Sequence, residues 1–163
     1  MKADPERNVH PFAPVFDSAS RVLIVGTFPS VISRRRNFYY GNPRNRFYQV
    51  LAALFHAPVP GGVEAKKQFL LDHHIAVFDV LESCVIRGSS DASIREACPN
   101  DFSPIFNGAE IACTFANGRT AQQLCERYVT PAVYLPSTSP ANASYSLERL
   151  IDAWSVIVPY LEG

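Results

Sequence analysis

The chain contains four short apolar runs, and each is bounded by polar or turn-forming residues. They occupy positions 21–25, 75–80, 111–115 and 132–135. Short apolar runs that do not alternate with polar residues are typical of parallel strands that are buried on both faces. The pattern therefore predicts four buried parallel strands.

Helical spacing fills the intervals between these runs. One helix is predicted to begin near Pro43, a second to end at 73–74, and a third to begin with a capping box at Thr120. The last helix carries an apolar stripe that Pro159 is expected to end or kink. The stripes of the first and last helices are Phe47, Leu51, Leu54 and Phe55, and Leu147, Leu150, Ile151, Trp154, Ile157 and Val158.

Alternating strands and helices predict an α/β fold, a three-layer α/β/α sandwich around a short, mostly parallel four-stranded sheet. The stretch 83–107 looks irregular and is expected to form turns and short helices over one edge. The length of 163 residues, without a linker or an internal repeat, predicts a single domain over 1–163.

The chain is neutral overall, with 15 basic and 15 acidic residues, but its charge is unevenly placed. No acidic residue lies between Asp17 and Glu64. Arginines interleaved with aromatic rings indicate a surface that binds nucleic acid or phosphate, although a solvated face with stacked Arg–Tyr pairs also explains such a patch. The window contains Arg21, Arg34, Arg35, Arg36, Arg44 and Arg46.

Cysteine and histidine spacing gives no sign of a metal site. Cys84, Cys98, Cys113 and Cys125 form no C-x-x-C pair and are expected to be free, buried thiols. The histidines show no ligand spacing, so we expect neither metal nor cofactor. A polar N-terminus and the lack of a long apolar run predict a cytoplasmic protein with no membrane partner.

Two polar loops follow predicted strands, at the place where open α/β sheets bind ligands. The first begins at Thr27 and Phe28, and the second contains Ser137, Ser139 and Asn142. Hydroxyls and amides before a helix can hold a phosphate, and they can equally well cap a loop. Together the loops predict the rim of an active site.

Three asparagines near strand ends are candidates for chemistry. Asn42 is predicted to cap the helix at Pro43, which puts Asn45 in the first helical turn, reaching into the cleft. Asn117 and Gly118 follow the third strand. They form either a turn or an amide that can pair with the adjacent C=O and N–H of a lactam base such as hypoxanthine or uracil.

Acidic candidates are scarce in these loops. The nearest carboxylates, Asp79 and Glu82, lie at the end of the second strand, and their expected role is capping or solvation. The loops lack the G-x-G-x-x-G and P-loop patterns, and no G-x-S-x-G elbow is present. Dinucleotide binding and α/β-hydrolase chemistry are therefore not expected.

The chain resembles the uracil-DNA glycosylase superfamily, most closely its hypoxanthine-DNA (deoxyinosine) glycosylase branch. The resemblance rests on segments 26–30, 38–47, 89–94, 117–118 and 135–143, which run in family order. The tyrosine-rich segment and the last segment are the specific ones. The resemblance implies a short parallel sheet flanked by helices, a site at the strand ends, and base excision from DNA without metal or cofactor.

Departures from the superfamily pattern fit that branch. Ser137 stands where the superfamily usually has a His, and Phe28 follows Thr27 where it usually has an Asp or Asn that positions water. In the deoxyinosine branch, catalysis is thought to move to asparagines. Those positions correspond here to Asn42 or Asn45, and to Asn117.

We therefore expect a monofunctional, monomeric DNA glycosylase that removes deaminated bases in base excision repair, with hypoxanthine as the expected substrate and uracil as an open second one. The missing Asp and His leave open a non-catalytic nucleic-acid-binding domain on the same scaffold, and a nucleoside or nucleotide hydrolase is a third possibility. The residues expected to hold the base are Tyr40, Phe28, Asn117 and Ser137, with Tyr40 stacking on it. Those expected to hold DNA are Arg34, Arg35, Arg36, Arg44, Arg46, Ser139 and Asn142.

Overall fold

A computed structural model describes residues 7–161 of the chain. In chain order its elements are β1 (Arg7–Val9), β2 (Val22–Gly26), α1 (Val31–Arg36), α2 (Phe47–Leu54), α3 (Val63–Asp72), β3 (Ile75–Asp79), β4 (Leu81–Val85), β5 (Arg95–Pro99), α4 (Ser103–Gly108), β6 (Cys113–Asn117), α5 (Arg119–Tyr128), β7 (Val133–Leu135), α6 (Leu147–Trp154) and α7 (Val158–Leu161), with 3₁₀ turns at Asp91–Ser93 and Ser155–Ile157.

The four predicted strands form one parallel sheet in the order β3-β2-β6-β7. Their observed bounds lie within two residues of the predicted ones. Every residue of β2 and β3 is buried, which explains why these strands are continuously apolar. The α/β fold built on a short parallel sheet is therefore confirmed.

Strand register brings four chain positions to one edge of this sheet. Gly26 ends β2 and pairs with Asp79, which ends β3. Asn117 ends β6 and pairs with Leu135, which ends β7. The carboxyl ends of all four strands therefore meet at the same edge, where parallel sheets bind ligands.

Helices flank the sheet. Helix α5 packs on β2, β6 and β7, α3 packs on β3, and α2 packs against α6. Trp154 of α6 is fully buried and donates its Nε1–H to the carbonyl of Pro136 at 2.9 Å. This bond ties α6 to the segment after β7, so the helix supports the strand-end edge. Within residues 7–161, no helix is both long and apolar enough to cross a bilayer.

The expectation of an irregular segment at 83–107 is wrong. Strands β4 and β5 pair antiparallel, and with β1 they form a second sheet in the order β1-β4-β5. All residues of β5 are exposed or half-buried, so it carries no apolar pattern that a sequence could reveal. Only Val80 separates β3 from β4, so the second sheet continues directly from the central one.

The helix predicted at Pro43 begins instead at Phe47. Asn42 caps no helix: its Oδ1 accepts a hydrogen bond from the backbone N–H of Arg44 at 3.0 Å within a turn. Asn45 lies just before α2, and its Oδ1 accepts from the N–H of Phe47 at 3.0 Å. Asn42 and Pro43 therefore begin a turn, in which the Asn42 side chain accepts from the backbone two residues further along the chain. Asparagine favours such turns as well as helix N-caps.

Two other expectations for helices also need adjustment. Helix α5 begins at Arg119 after Gly118, whose φ of 101° lies in the left-handed region, so Thr120 starts no capping box. The last helix is interrupted by the 3₁₀ turn at Ser155–Ile157, and Pro159 lies in the first turn of α7, where proline is tolerated.

The four cysteines are free thiols, as predicted. Cys84 and Cys125 are buried, but Cys98 is exposed and Cys113 is half-buried. The expectation that all four are buried is therefore wrong. Cys98 lies on the exposed strand β5, which the sequence did not reveal as a strand.

Candidate active site

A pocket of about 140 Å³ opens at the edge where the parallel strands end. It lies over Gly26 of β2, between Asp79 of β3 and Asn117 of β6, and the loop after β7 closes one side. Its walls therefore come from all four strand ends, together with the tyrosine-rich segment that precedes α2.

The structure brings together six of the residues predicted from sequence and leaves one of the three catalytic asparagine candidates outside. Asn42 is absent from the pocket wall, because the turn at 42–44 directs it elsewhere. The residues that line the wall as expected are Phe28, Tyr40, Asn45, Asn117, Ser137 and Ser139.

The two catalytic asparagine candidates on the wall differ in how their amides are used. Asn45 Oδ1 accepts from Phe47 N–H, while its Nδ2 makes no hydrogen bond within residues 7–161. Asn117 donates from Nδ2 to Thr138 Oγ1 at 3.0 Å, and its Oδ1 accepts from the Thr138 N–H at 3.0 Å. Asn117 thus holds the loop after β7, with one N–H and one lone pair left for another partner.

Tyr40 places an unpartnered hydroxyl in this site. Its ring stacks on Phe47 with centroids 3.9 Å apart, and its Oη is buried without a hydrogen-bond partner among residues 7–161. Burial raises the pKa of Tyr40, the charge of Asp79 raises it further, and the polar side chain of Asn117 acts against this rise. The phenol is therefore protonated and able to donate throughout the physiological pH range.

Asp79 lies on the pocket wall and is buried, so the expectation that it caps a turn or is solvated is wrong. Its side chain is 6% exposed, and Oδ2 lies 2.9 Å from Nε2 of His10, itself only 2% exposed. With Asp79 ionised, the imidazole N–H is the donor of this bond. The pairing could not be read locally, because 69 positions separate the two residues. Glu82 is exposed, as expected.

Asp91 is the second carboxyl on the pocket wall. Although the residue as a whole is exposed, its Oδ2 lies 3.5 Å from the Thr27 hydroxyl, which donates to it. Burial of the carboxyl raises the pKa of Asp91 to about 6, the hydrogen bond from Thr27 opposes the rise, and the charge of Asp79 adds to it. The segment 89–94 supported the family resemblance, but no rule of spacing marked Asp91 as a pocket residue.

Arg46 belongs to the scaffold of the site. Its guanidinium donates to three carbonyls of the loop after β7, those of Tyr145, Ser139 at 3.3 Å and Asn142 at 3.1 Å. In the same loop, the Asn142 Nδ2 donates to the Ser137 carbonyl at 3.0 Å. Arg46 and Asn142 therefore shape the wall that carries Ser137 and Ser139.

The remaining predicted arginines divide into one engaged residue and three exposed ones. Arg34 donates to Asn8 Oδ1 and to the Gly88 carbonyl, each at 2.8 Å. Arg35 and Arg36 of α1 and Arg44 before α2 are exposed and make no side-chain hydrogen bond within the described residues. Arg35, Arg36 and Arg44 lie on the segments that also carry the lining residues Ser33 and Asn45.

No metal centre is built into this site by the residues that the structure describes. Across positions 7–161, no three His, Cys, Asp or Glu side chains are grouped closely enough to hold an ion. The functional groups on the pocket wall are aliphatic hydroxyls, the two phenols of Tyr39 and Tyr40, two amides and two carboxyls.

Comparisons with known proteins agree with this arrangement. Residues 13–158 match the family model of the Uracil DNA glycosylase superfamily. A protein named Hypoxanthine DNA glycosylase from Methanosarcina acetivorans is 32% identical over 143 residues, which cover 85% of this chain and 90% of that protein. Another of that name, from Methanosarcina barkeri, is 29% identical over 93 residues, 56% of this chain and 59% of its own. A solution NMR structure of a candidate uracil DNA glycosylase from M. acetivorans superposes with a TM-score of 0.78 at 30% identity, over 93% of this chain and 97% of that one.

Proposed function

Because this chain belongs to the uracil DNA glycosylase superfamily and is a DNA glycosylase for deaminated bases, we propose that its principal substrate is hypoxanthine in DNA. Hypoxanthine is favoured because both named relatives carry that activity in their names, and uracil presents the same lactam edge. The observation that carries the proposal is the strand-end pocket, which has hydroxyl, amide and carboxyl groups but no lysine among its lining residues.

The reaction is hydrolysis of the N-glycosidic bond. The bond from C1′ to the base nitrogen breaks, its electron pair leaves with the base, the oxygen of water bonds to C1′, and one proton of that water ends on the departing base, which is released neutral. Without a lysine on the wall, no imine with the sugar forms, so the product is an abasic site in an uncut strand. The enzyme therefore acts as a monofunctional glycosylase.

Asn45 is the residue best placed to orient the attacking water. Its Oδ1 is held by the Phe47 N–H, which fixes the amide, and its Nδ2 remains available on the pocket wall. An amide has no basic site that can take a proton from water, so Asn45 positions the water without deprotonating it, and we propose that the glycosidic bond breaks ahead of attack. Water then captures an oxocarbenium ion.

The damaged nucleotide reaches the pocket by flipping out of the helix, which costs least for a mispaired base. Arg35, Arg36 and Arg44 contact phosphates of the DNA, while Arg34 and Arg46 support the protein side of the interface. Phe28 provides aromatic surface at the pocket, whereas the ring of Tyr40 already stacks on Phe47. We further propose that residues 1–163 form a single domain and that the enzyme acts as a monomer in the cytoplasm.

A panel of labelled duplexes, each with one hypoxanthine, uracil or xanthine, tests the proposal. Incubation followed by hot alkali cuts the strand wherever a base has been released. We expect cleavage at hypoxanthine, loss of cleavage in Asn45→Ala, and retention in the matched variant Asn42→Ala, whose side chain lies outside the pocket.

Two other outcomes would replace the proposal. Tight, salt-dependent duplex binding without release of any base would identify a non-catalytic DNA-binding protein. Hydrolysis of free inosine without activity on duplexes would identify a nucleoside hydrolase. Inactivity of Asn42→Ala together with full activity of Asn45→Ala would reverse the assignment of the water-orienting amide.

A further inference from the structure

The pocket contains a donor that the protein itself does not satisfy. Tyr40 Oη is buried and accepts or donates no hydrogen bond within residues 7–161. An unpaired buried hydroxyl carries an uncompensated desolvation cost, and native structures keep few of them. Tyr40 also has a φ of 54°, an uncommon conformation for a residue other than glycine, so the chain holds this side chain in place against two local costs.

A second unengaged polar atom lies beside it. Asp79 uses Oδ2 to bind His10, and its Oδ1 accepts no hydrogen bond from the described residues. A Cβ atom built on Gly26 would lie 2.3 Å from this Oδ1 and 3.1 Å from Tyr40 Oη. The donor and the acceptor therefore converge on the bare backbone of Gly26, at the floor of the pocket.

On the premise of the proposed function, we propose that Tyr40 and Asp79 read the lactam edge of the flipped base. Tyr40 Oη donates to the base carbonyl, and Asp79 Oδ1 accepts the adjacent ring N–H. Hypoxanthine and uracil present this pair of groups, whereas adenine presents an amine and a bare ring nitrogen and leaves the carboxylate facing a lone pair. The specificity pair supplements Asn117, whose amide already holds Thr138.

The pair also favours the reaction itself. As the glycosidic bond breaks, negative charge on the departing base spreads to its carbonyl oxygen. A donor fixed at that oxygen stabilises the transition state more than the bound substrate. Removal of the Tyr40 hydroxyl should therefore lower the rate of the chemical step, with little effect on the affinity for the duplex.

Tyr40→Phe gives the first test, with Tyr48→Phe as its control. We expect the single-turnover rate on a hypoxanthine duplex to fall about 10- to 100-fold in Tyr40→Phe. Its melting temperature should stay the same or rise, since the hydroxyl has no partner to lose. Tyr48 Oη donates to the Tyr39 carbonyl at 2.9 Å and lies outside the pocket wall, so Tyr48→Phe should melt earlier and keep its rate.

Asp79→Asn gives the second test, through base preference. His10 N–H holds the amide oxygen, which turns Nδ2 towards the base and puts a donor opposite the ring N–H of hypoxanthine. The ratio of hypoxanthine to adenine release should fall by about 100-fold or more, while affinity for undamaged duplex is unchanged.

The outcomes separate this inference from the proposed function. If the unmodified enzyme releases no base from any duplex, the proposed function fails. If it releases hypoxanthine, and both Tyr40→Phe and Asp79→Asn keep its rate and its base preference, the specificity pair is wrong and the function stands. If Asp79→Asn does not fold, the rate of Tyr40→Phe against Tyr48→Phe decides alone.

Discussion

Gly26 shows how a single residue can determine a site. It ends β2 beside Asp79, whose carboxyl is anchored by His10 and cannot swing away without leaving a buried pair. A side chain at this position would occupy the space where Tyr40 Oη and Asp79 Oδ1 converge. The close approach, rather than a special φ, is the reason that glycine is needed here.

We predict that Gly26→Ala leaves a folded protein with a damaged pocket. The added methyl would displace the Asp79 carboxyl, which should lower the free energy of unfolding by about 1–3 kcal/mol. Excision of hypoxanthine should slow by roughly 100-fold, as expected for a misplaced reacting group. Gly61→Ala is the control: no atom lies within 4 Å of its new Cβ, so the rate should not change. Equal rates for both variants, measured in single turnover, would contradict the role given to Gly26.

Asp91 predicts a pH dependence of stability. Its pKa is raised from an ordinary 3.8 to about 6 in the folded protein, so between these values the folded state binds a proton that the unfolded state has lost. Stability from this group therefore decreases as pH rises through that window, and at pH 7 the folded protein carries the full cost of a buried charge. Asp91→Asn should be more stable than the unmodified protein at pH 7, with a difference that shrinks towards pH 4.

Thermal unfolding of both proteins from pH 4 to pH 7 measures this difference. Asp101 supplies a control of opposite sign, because hydrogen bonds from Ser103 lower the pKa of Asp101. Asp101→Asn should therefore lose stability at pH 7 relative to pH 4. A gain for Asp91→Asn that is constant over the whole range would show that its carboxyl carries no titrating penalty.

Among single residues, the sequence predicted the pocket residues that lie next to strand or helix ends. It missed those that reach the pocket through partners far away along the chain. Phe28, Asn45 and Asn117 lie directly beside strand or helix ends, so their place on the wall could be inferred from the pattern. Asp79 could not, because its burial depends on His10 from a distant segment. Asp91 reaches the pocket because the connection between β4 and β5 returns to Thr27.

Among the elements, predictions succeeded where burial imposed a pattern. Strands β2 and β3 are wholly buried and were located closely, whereas β5 has no buried residue and was missed. The start of α2 was misplaced because Asn42-Pro43 satisfies the rules for a helix N-terminus and for a turn alike. Local rules could not decide between them. In the fold, α2 begins at Phe47, whose ring packs edge to face against Trp154.

Arg46 makes the loop after β7 depend on one side chain. We predict that Arg46→Lys lowers the free energy of unfolding by about 1–3 kcal/mol, because lysine cannot reach three carbonyls with the geometry of a guanidinium. Its excision rate should fall too, since the loop forms one wall of the pocket. Chemical denaturation checks the stability, and Arg44→Lys, at an exposed position, serves as the control. Identical midpoints for the two variants would show that the carbonyl contacts add nothing.

For the whole molecule, the distribution of charge matters more than the total. The chain has no net formal charge, so a duplex gains nothing from a general attraction and must be held by local basic residues. Arg35, Arg36 and Arg44 lie on segments that flank the pocket, while Arg21 precedes β2 at the opposite edge of the sheet and pairs with Glu110 at 3.7 Å. The arginines between Asp17 and Glu64 therefore lie on two different faces of the molecule.

We predict that only one of these faces contributes to DNA binding. Each phosphate-contacting arginine that is replaced should reduce the slope of log affinity against log salt concentration by about 1. The triple variant Arg35→Gln, Arg36→Gln, Arg44→Gln should therefore lose about 3 units of slope, and Arg21→Gln should lose none. Fluorescence anisotropy with a hypoxanthine duplex over a salt series measures both. If Arg21→Gln changed the slope as much per residue as the triple variant did, the strand-end face would not be the DNA-binding face, and the pocket would have to receive its base by another route.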